Sequence, residues 1–148
     1  YFCNADSLSE NKIYFSSNIK DVFFNDAYMQ SDKHSFSGKY SSQLTKKSPY
    51  GMSIILDNPQ TGQTYNISAW RYSADKTGVI SASIETDQFY RSSKTITQSR
   101  NGWDMITLSF TIDKPITGKT ITLYTWNEGK ETVYFDDFKI SIINPQSK

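Results

Sequence analysis

Near the C-terminal end, the run Val133-Tyr134-Phe135-Asp136-Asp137-Phe138-Lys139-Ile140 sets two adjacent carboxylates among aromatic residues. The run has the composition of a β-strand, in which successive side chains point to opposite faces. Asp136 and Asp137 are therefore expected to point apart, one of them toward the core. A buried carboxylate is costly unless a cation or a set of donors accompanies it. The stretch thus predicts either a bound metal ion or a buried hydrogen-bond network.

A second chemistry is offered by aromatics at outward parity. In Tyr65 to Tyr72, the residues Tyr65, Ile67 and Ala69 form the apolar set and leave Trp70 and Tyr72 on the other face. In Ile121 to Asn127, Ile121 and Leu123 face inward while Tyr124 and Trp126 face out. Indole and phenol rings stack on the apolar C–H faces of pyranose rings, and their polar handles suit a half-wet site. If the two strands share a sheet, Trp70 and Trp126 wall a groove, with Ser83 and Glu85 of a third strand as acceptors on its floor. Tyr72 and Tyr124 would complete the ligand-binding set. Arg71 has the opposite parity, whereas Arg91 and Arg100, expected on loops, offer charge recognition. The competing expectation is that these aromatics lie beneath a connecting segment. Exposed together, they would mark an interaction surface for sugar or for protein.

Other chemistries find little support. His34 is the sole histidine, no Gly-x-Ser-x-Gly elbow accompanies it, and Cys3 has no evident activator. Neither zinc-type Cys/His spacing nor a glycine-rich phosphate loop is present. A carboxylate pair such as Glu85 with Asp87 or Asp104 has the right chemistry for glycoside hydrolysis. Glu85 and Asp87 are, however, two apart at a strand end, the pattern of a solvated pair. The expectation is a binding domain and not an enzyme.

The elements that must position these residues are strands. Of 148 residues, 10 are Tyr, 9 Phe and 3 Trp, and period-2 segments recur between turns such as Ser37-Gly38, Thr61-Gly62, Thr77-Gly78, Asn101-Gly102 and Thr117-Gly118. Strands are expected over Lys39 to Thr45, Gly51 to Leu56, Thr64 to Tyr72, Val79 to Glu85, Trp103 to Ile112, Thr120 to Trp126 and Thr132 to Ile143. Asn11 to Gln30 reads as two strands, or as a strand and a loop that crosses the groove. These elements point to an all-β fold, a two-sheet antiparallel β-sandwich, built as one domain over residues 1–148. With 16 Lys and Arg against 15 Asp and Glu, no net field attracts nucleic acid or an anionic membrane. No apolar run reaches the roughly 20 residues of a membrane helix. A single cysteine excludes an internal disulfide and reads as a small hydrophobe of the first strand, with a lipid anchor as the alternative. The absence of a signal peptide and the polar tail suggest a module cut from a longer protein.

Four segments in order, His34 to Ser41, Gly62 to Trp70, Gly102 to Leu108 and Tyr134 to Ile140, carry a family likeness. The chain resembles the jelly-roll carbohydrate-binding modules of the galactose-binding-like fold. The resemblance covers His34 to Ile143 and implies a structural calcium ion at one edge of the sandwich. Its ligands would be the Asp137 carboxylate, backbone carbonyls near Ser35 and Lys39, and a first-strand acid, with Asp6 favoured over Glu10 and Asp21. Such an all-oxygen set suits Ca²⁺. The resemblance makes Trp103 a structural residue at a strand start. It further implies a noncatalytic module, extracellular or at the cell surface, that tethers an attached enzyme or surface protein to a polysaccharide or oligosaccharide. The module would be monomeric and joined to other domains. The alternative is a jelly-roll protein-interaction or spacer module without a sugar ligand, since one fold serves many functions.

Overall fold

A computed structural model describes residues 1–84, 89–116 and 119–146 of the chain. Among these residues the chain forms thirteen strands: β1 (Phe2–Cys3), β2 (Phe15–Ser16), β3 (Phe23–Phe24), β4 (Gln30–Ser31), β5 (Ser41–Leu44), β6 (Tyr50–Asp57), β7 (Thr64–Tyr72), β8 (Val79–Ile84), β9 (Phe89–Ser93), β10 (Thr95–Arg100), β11 (Trp103–Thr111), β12 (Thr120–Trp126) and β13 (Val133–Ile143). One 3-10 turn, Ala27–Met29, precedes β4. Every pairing is antiparallel, as expected of an all-β sandwich. One sheet of seven strands runs β10-β11-β7-β13-β5-β4, with β1 added to β13. The other runs β6-β12-β8-β9, and β2 and β3 form a separate hairpin. Among the described residues, no helix is long and apolar enough to cross a membrane.

The core lies between the sheets, and the inward sets expected of β7 and β12, Tyr65, Ile67, Ala69, Ile121 and Leu123, all fall in it. Ile67, Ala69, Ile106, Leu108, Phe135 and Ile140 come from the seven-stranded sheet, and Ile54, Ile80, Ala82, Ile84, Ile121 and Leu123 from the four-stranded one. Burial of these side chains supplies the main favourable term of the fold, about 1.5–3 kcal/mol for each large residue fully removed from water. Asn101 and Gly102, at φ 51° and 82°, close the two-residue β10–β11 hairpin. Positive φ at both loop positions is the geometry whose twist matches the flanking strands, which is why Asn-Gly stands there. β10 itself, Thr95–Arg100, is exposed along its whole length and shows no apolar alternation, so its sequence gives no strand signal. Cys3 is buried in β1 opposite Phe138.

Two sequence expectations are corrected. β7 and β12 belong to different sheets, so Trp70 and Tyr72 cannot share a groove with Tyr124 and Trp126. Each strand carries these aromatics on the face away from the core, and the two outer faces lie on opposite sides of the sandwich. Strict alternation also fails at Asp136-Asp137. Asp136 pairs with Trp70 and Lys139 with Ser68, so two residues, Asp137 and Phe138, oppose Ala69 alone. This bulge is absorbed by Asp137 at φ 50°. Phe138 thereby returns to the core, and Asp136 lies on the outer side, fully buried beneath a loop.

Candidate functional site: two outer faces and a carboxylate corner

On the outer face of the seven-stranded sheet, the aromatics are covered. Trp70, Trp103 and Tyr134 are each less than a tenth exposed and form a cluster of their own, apart from the main core. The segment 34–37 lies over them. Phe36 stacks on Trp70 with centroids 3.9 Å apart and planes 13° apart, and His34 stacks on Tyr72 at 4.4 Å and 20°. Trp103, first residue of β11, meets Phe36 edge-on, the structural role expected of it.

Carboxylates tie this strap down. One oxygen of Asp136 accepts the N–H groups of Phe36 (2.8 Å) and Ser37 (3.1 Å), and the other accepts that of Asp137 (2.7 Å). Asp137 accepts the Ser37 hydroxyl. Asp6 accepts the N–H groups of Lys39 and Tyr40, both at 2.8 Å. Gly38, at φ 58°, sits so close to Asp6 that a Cβ there would overlap the carboxylate. Ser35 donates its hydroxyl to the Gly38 carbonyl at 3.2 Å. The residues expected around a cation, Asp6, Ser35, Lys39 and Asp137, thus meet around one turn, with Asp136 as a neighbour that alternation had not placed.

The electrostatics of this corner are unbalanced. Burial and the adjacent Asp137 push the Asp136 carboxyl up to about 7 against the pull of its three N–H donors. Burial, with the charges of Asp136, Asp137 and Asp6, pushes the Cys3 thiol up to about 12. Among the described residues, no Lys or Arg forms an ion pair with any of the three carboxylates. No three His, Cys, Asp or Glu side chains among the described residues could hold a metal by themselves. A cation here would need carbonyl oxygens beside its carboxylates, a mixture that suits calcium.

Arg71 points between the sheets, fully buried. It donates to the carbonyls of Lys76 and Gly78 and forms an ion pair with Asp104 at 3.3 Å, which Lys76 joins at 2.7 Å. Burial alone would raise the Asp104 carboxyl. Lys76, Ser99 and Arg71 outweigh it and hold the group below the usual carboxylate range, unsuited to donate a proton. Arg91, in β9, has its guanidinium 4.6 Å from the Phe89 ring centroid, and Arg100 ends β10, so neither lies on a loop.

The outer face of the four-stranded sheet stays open. Pairing of β12 with its neighbours sets Tyr124 between Ser53 of β6 and Ser81 of β8, and Thr122 between Ile55 and Ser83. Trp126 lies opposite Tyr50, their rings 13° apart in plane and 6.2 Å between centroids. Tyr50 also meets Tyr124 edge-on. From β9, Tyr90 reaches Ser81, with hydroxyls 3.3 Å apart. The result is a groove of about 520 Å³, lined among others by Tyr50, Ser53, Ser83, Thr122, Tyr124 and Asp26. Of the groove-wall expectations, Tyr124 and Ser83 line the groove, and Trp126 stands beside Tyr50 on the same face. Trp70 and Tyr72 fall on the other face, and Glu85 lies outside the described residues.

Phe89-Tyr90-Arg91, expected from the sequence as a loop tip or short strand bordering the groove, is part of β9, whereas Tyr50, Asp26 and Tyr28 were not legible in the sequence. Tyr50 precedes the expected strand Gly51 to Leu56 by one residue, and a bulge between Gly51 and Ser53 returns it to the outer face. Asp26, at φ 68°, is carried to the groove by Asn25, whose N–H donates to the Ser53 carbonyl at 2.8 Å. Burial raises the Asp26 carboxyl, opposed by hydrogen bonds from Tyr28 and Ser53. Burial likewise raises the Tyr124 phenol, with Tyr90 adding to it.

This architecture has known counterparts. The CBM22-1 xylan-binding domain of Paenibacillus barcinonensis Xyn10C superposes with a TM-score of 0.57 at 11% identity, covering 99% of this chain and 95% of that one. A family 16 carbohydrate-binding module matches at 0.51 and 16% identity, covering 92% and 96%. The fold is that of carbohydrate-binding modules. A third match is the CBM22-1 and GH10 modules of Clostridium thermocellum xylanase 10B, complexed with xylohexaose. It has a TM-score of 0.51 and 15% identity, and covers 95% of this chain but 26% of that one. No protein-family model and no curated protein matches the sequence.

Proposed function

We propose that the chain is a noncatalytic carbohydrate-binding module whose site is the open groove of the four-stranded sheet. One observation carries the reading: Tyr50 is exposed and Tyr124 half-buried beside the Ser53, Ser83 and Thr122 hydroxyls, with half-buried Trp126 next to Tyr50 on the same face. Rings supply stacking faces for pyranoses, and hydroxyls exchange hydrogen bonds with sugar hydroxyls at little desolvation cost. Asp26 is the one charged side chain among the groove's described lining residues, and it is an acceptor. The site therefore favours neutral polysaccharides over uronate-rich chains. The fold shared with a xylan-binding domain makes soluble xylan the first probe.

Binding of this kind serves tethering. The xylanase 10B chain joins a module of this fold to a GH10 module, and the same arrangement here would hold an attached enzyme or surface protein against its polysaccharide outside the cell. The gain is one of effective concentration and not of chemistry. A calcium ion held by Asp6, Asp137 and carbonyls of the 35–39 turn would neutralise the carboxylate corner and fix the strap. The orphaned charge around Cys3 and Asp136 supports this assignment.

The test is a retardation gel with soluble xylan, glucomannan, xyloglucan and pectin. Wild type is expected to be retarded by a neutral polysaccharide, and Tyr124→Ala/Trp126→Ala to run as if no glycan were present. Silence of the wild type across the panel would overturn the reading and favour a protein-interaction or spacer module.

A further inference from the structure

The N-terminal hairpin bears a second aromatic surface that the groove does not use. A turn at Ser9 to Tyr14 is closed by the Ser9 N–H donating to the Tyr14 carbonyl and held by Asn11, whose side-chain oxygen accepts from the Ser9 hydroxyl and the Ile13 N–H. It presents Tyr14 beside Phe23 of β3, with ring centroids 6.1 Å apart and planes 37° apart. Both are more than a third exposed although Phe15 and Phe24, their neighbours in sequence, are fully buried. The two rings line a depression of about 610 Å³ with Ser9, Asn11, Glu10 and Asp21.

The position of this depression relative to the groove follows from pairing. Asn25 bridges Ser53 in antiparallel sense, and its side chain reaches the Ser53 hydroxyl at 3.4 Å. β3 packs against β6 from there. Alternation then puts Phe24 and Ile54 inward, as both are buried, and Phe23 and Ile55 outward, as both are exposed. The separate hairpin therefore lies beside the β6 edge, and its aromatics share the outer side of the groove-bearing sheet. From the Asn25–Ser53 bridge, Phe23 falls opposite Ile55 of β6, on the side of the sheet that bears Tyr50, Tyr124 and Trp126.

We propose that the Tyr14–Phe23 surface is an outer subsite for the same neutral polysaccharide chain that occupies the groove, an inference that rests on the carbohydrate reading of that groove. Two aromatic rings flanked by the Glu10 and Asp21 carboxylates as acceptors recognise a chain rich in hydroxyl donors. A polymer long enough to span both surfaces gains from the second contact as an intramolecular event, whereas a short fragment fills the groove alone. The hairpin thereby makes the module a discriminator of chain length.

The test compares the polysaccharide that retards the wild type with its shortest binding fragments, by calorimetry on the whole chain. Tyr14→Ala/Phe23→Ala is expected to weaken polymer binding roughly tenfold while fragment affinity stays unchanged. Phe23→Trp, which keeps the apolar contact and enlarges the stacking face, is expected to strengthen polymer binding several-fold with the fragment again unaffected. Equal affinities of wild type and double variant for polymer would overturn the proposal. So would parallel losses for polymer and fragment, which would mean that the hairpin acts through the fold. A wild type that binds no glycan removes the groove reading and this one together. A wild type that binds fragment and polymer equally tightly removes only this one.

Discussion

Trp70 on one sheet and Trp126 on the other stand at the same parity of an antiparallel strand, with an apolar inward set beside each. Their surroundings differ in what crosses above them. Over Trp70 the 34–37 strap lays Phe36, pinned by the Asp136 carboxylate and by the Asp6 contact to the following residues. Over Trp126 and Tyr124 no described segment closes. The nearest, 25–28, runs along the β6 edge and leaves the groove as a cleft beside it. Outward aromatics are thus a satellite core where a loop is anchored over them and a docking surface where none is. The carboxylate pair that first suggested chemistry turns out to decide which face is which.

The largest expected contrast follows directly. Tyr124→Ala/Trp126→Ala should lower polysaccharide affinity by roughly hundredfold or more, with only a small change in the melt, because half-exposed rings contribute mainly to the ligand contact. Trp70→Ala should do the reverse. Removing a buried indole costs about 3–5 kcal/mol, or a fall in melting temperature on the order of 10 °C for a chain of this size, while the folded fraction should still be retarded by glycan. A Trp70→Ala variant that melts normally but loses the glycan would break the comparison.

A smaller effect concerns the anchor of the strap. Chelation should lower the melting temperature by several degrees if calcium is bound at the 35–39 turn, since a ligand of the native state stabilises by mass action. Asp137→Ala should melt at the same temperature with and without chelator. An unchanged wild-type melt would leave the corner a hydrogen-bond network of Asp136, Phe36 and Ser37. Gly38→Ala should destabilise in either case, because its positive φ and the Asp6 carboxylate leave no room for a methyl group. A melt as high as wild type would show that the strap tolerates a different path.

The smallest effect is on the open face. The folded-state carboxyl of Asp26 is raised above its ordinary value, so it takes up a proton at a higher pH than an unperturbed aspartate as the solution is acidified. Glycan affinity that uses its ionised form as an acceptor should therefore be full at neutral pH and decline on acidification from above the usual carboxylate range. Asp26→Asn should abolish that decline. Calorimetric titration across the acid range, wild type against variant, reads the difference, and identical pH profiles would remove Asp26 from the site.

By itself the amino-acid sequence determined the all-β class, the inward apolar sets of β7 and β12, the Asn101-Gly102 turn and the outward parity of all four named aromatics. These are local properties, written in a two-residue period and in turn chemistry. Which strand joins which sheet is not local: β7 is claimed by β11 and β13, far along the chain, and this separates Trp70 from Trp126. A single residue in a left-handed conformation, Asp137, shifts the alternation and puts Asp136 beneath the strap, which no reading of strict parity contains. Tyr50 reaches the groove through another bulge, and Asp26 through the pairing of Asn25 with Ser53. The composition supplied the rings and carboxylates. Long-range pairing alone decided which of them are covered, because covering a face requires a segment remote in sequence to be held over it.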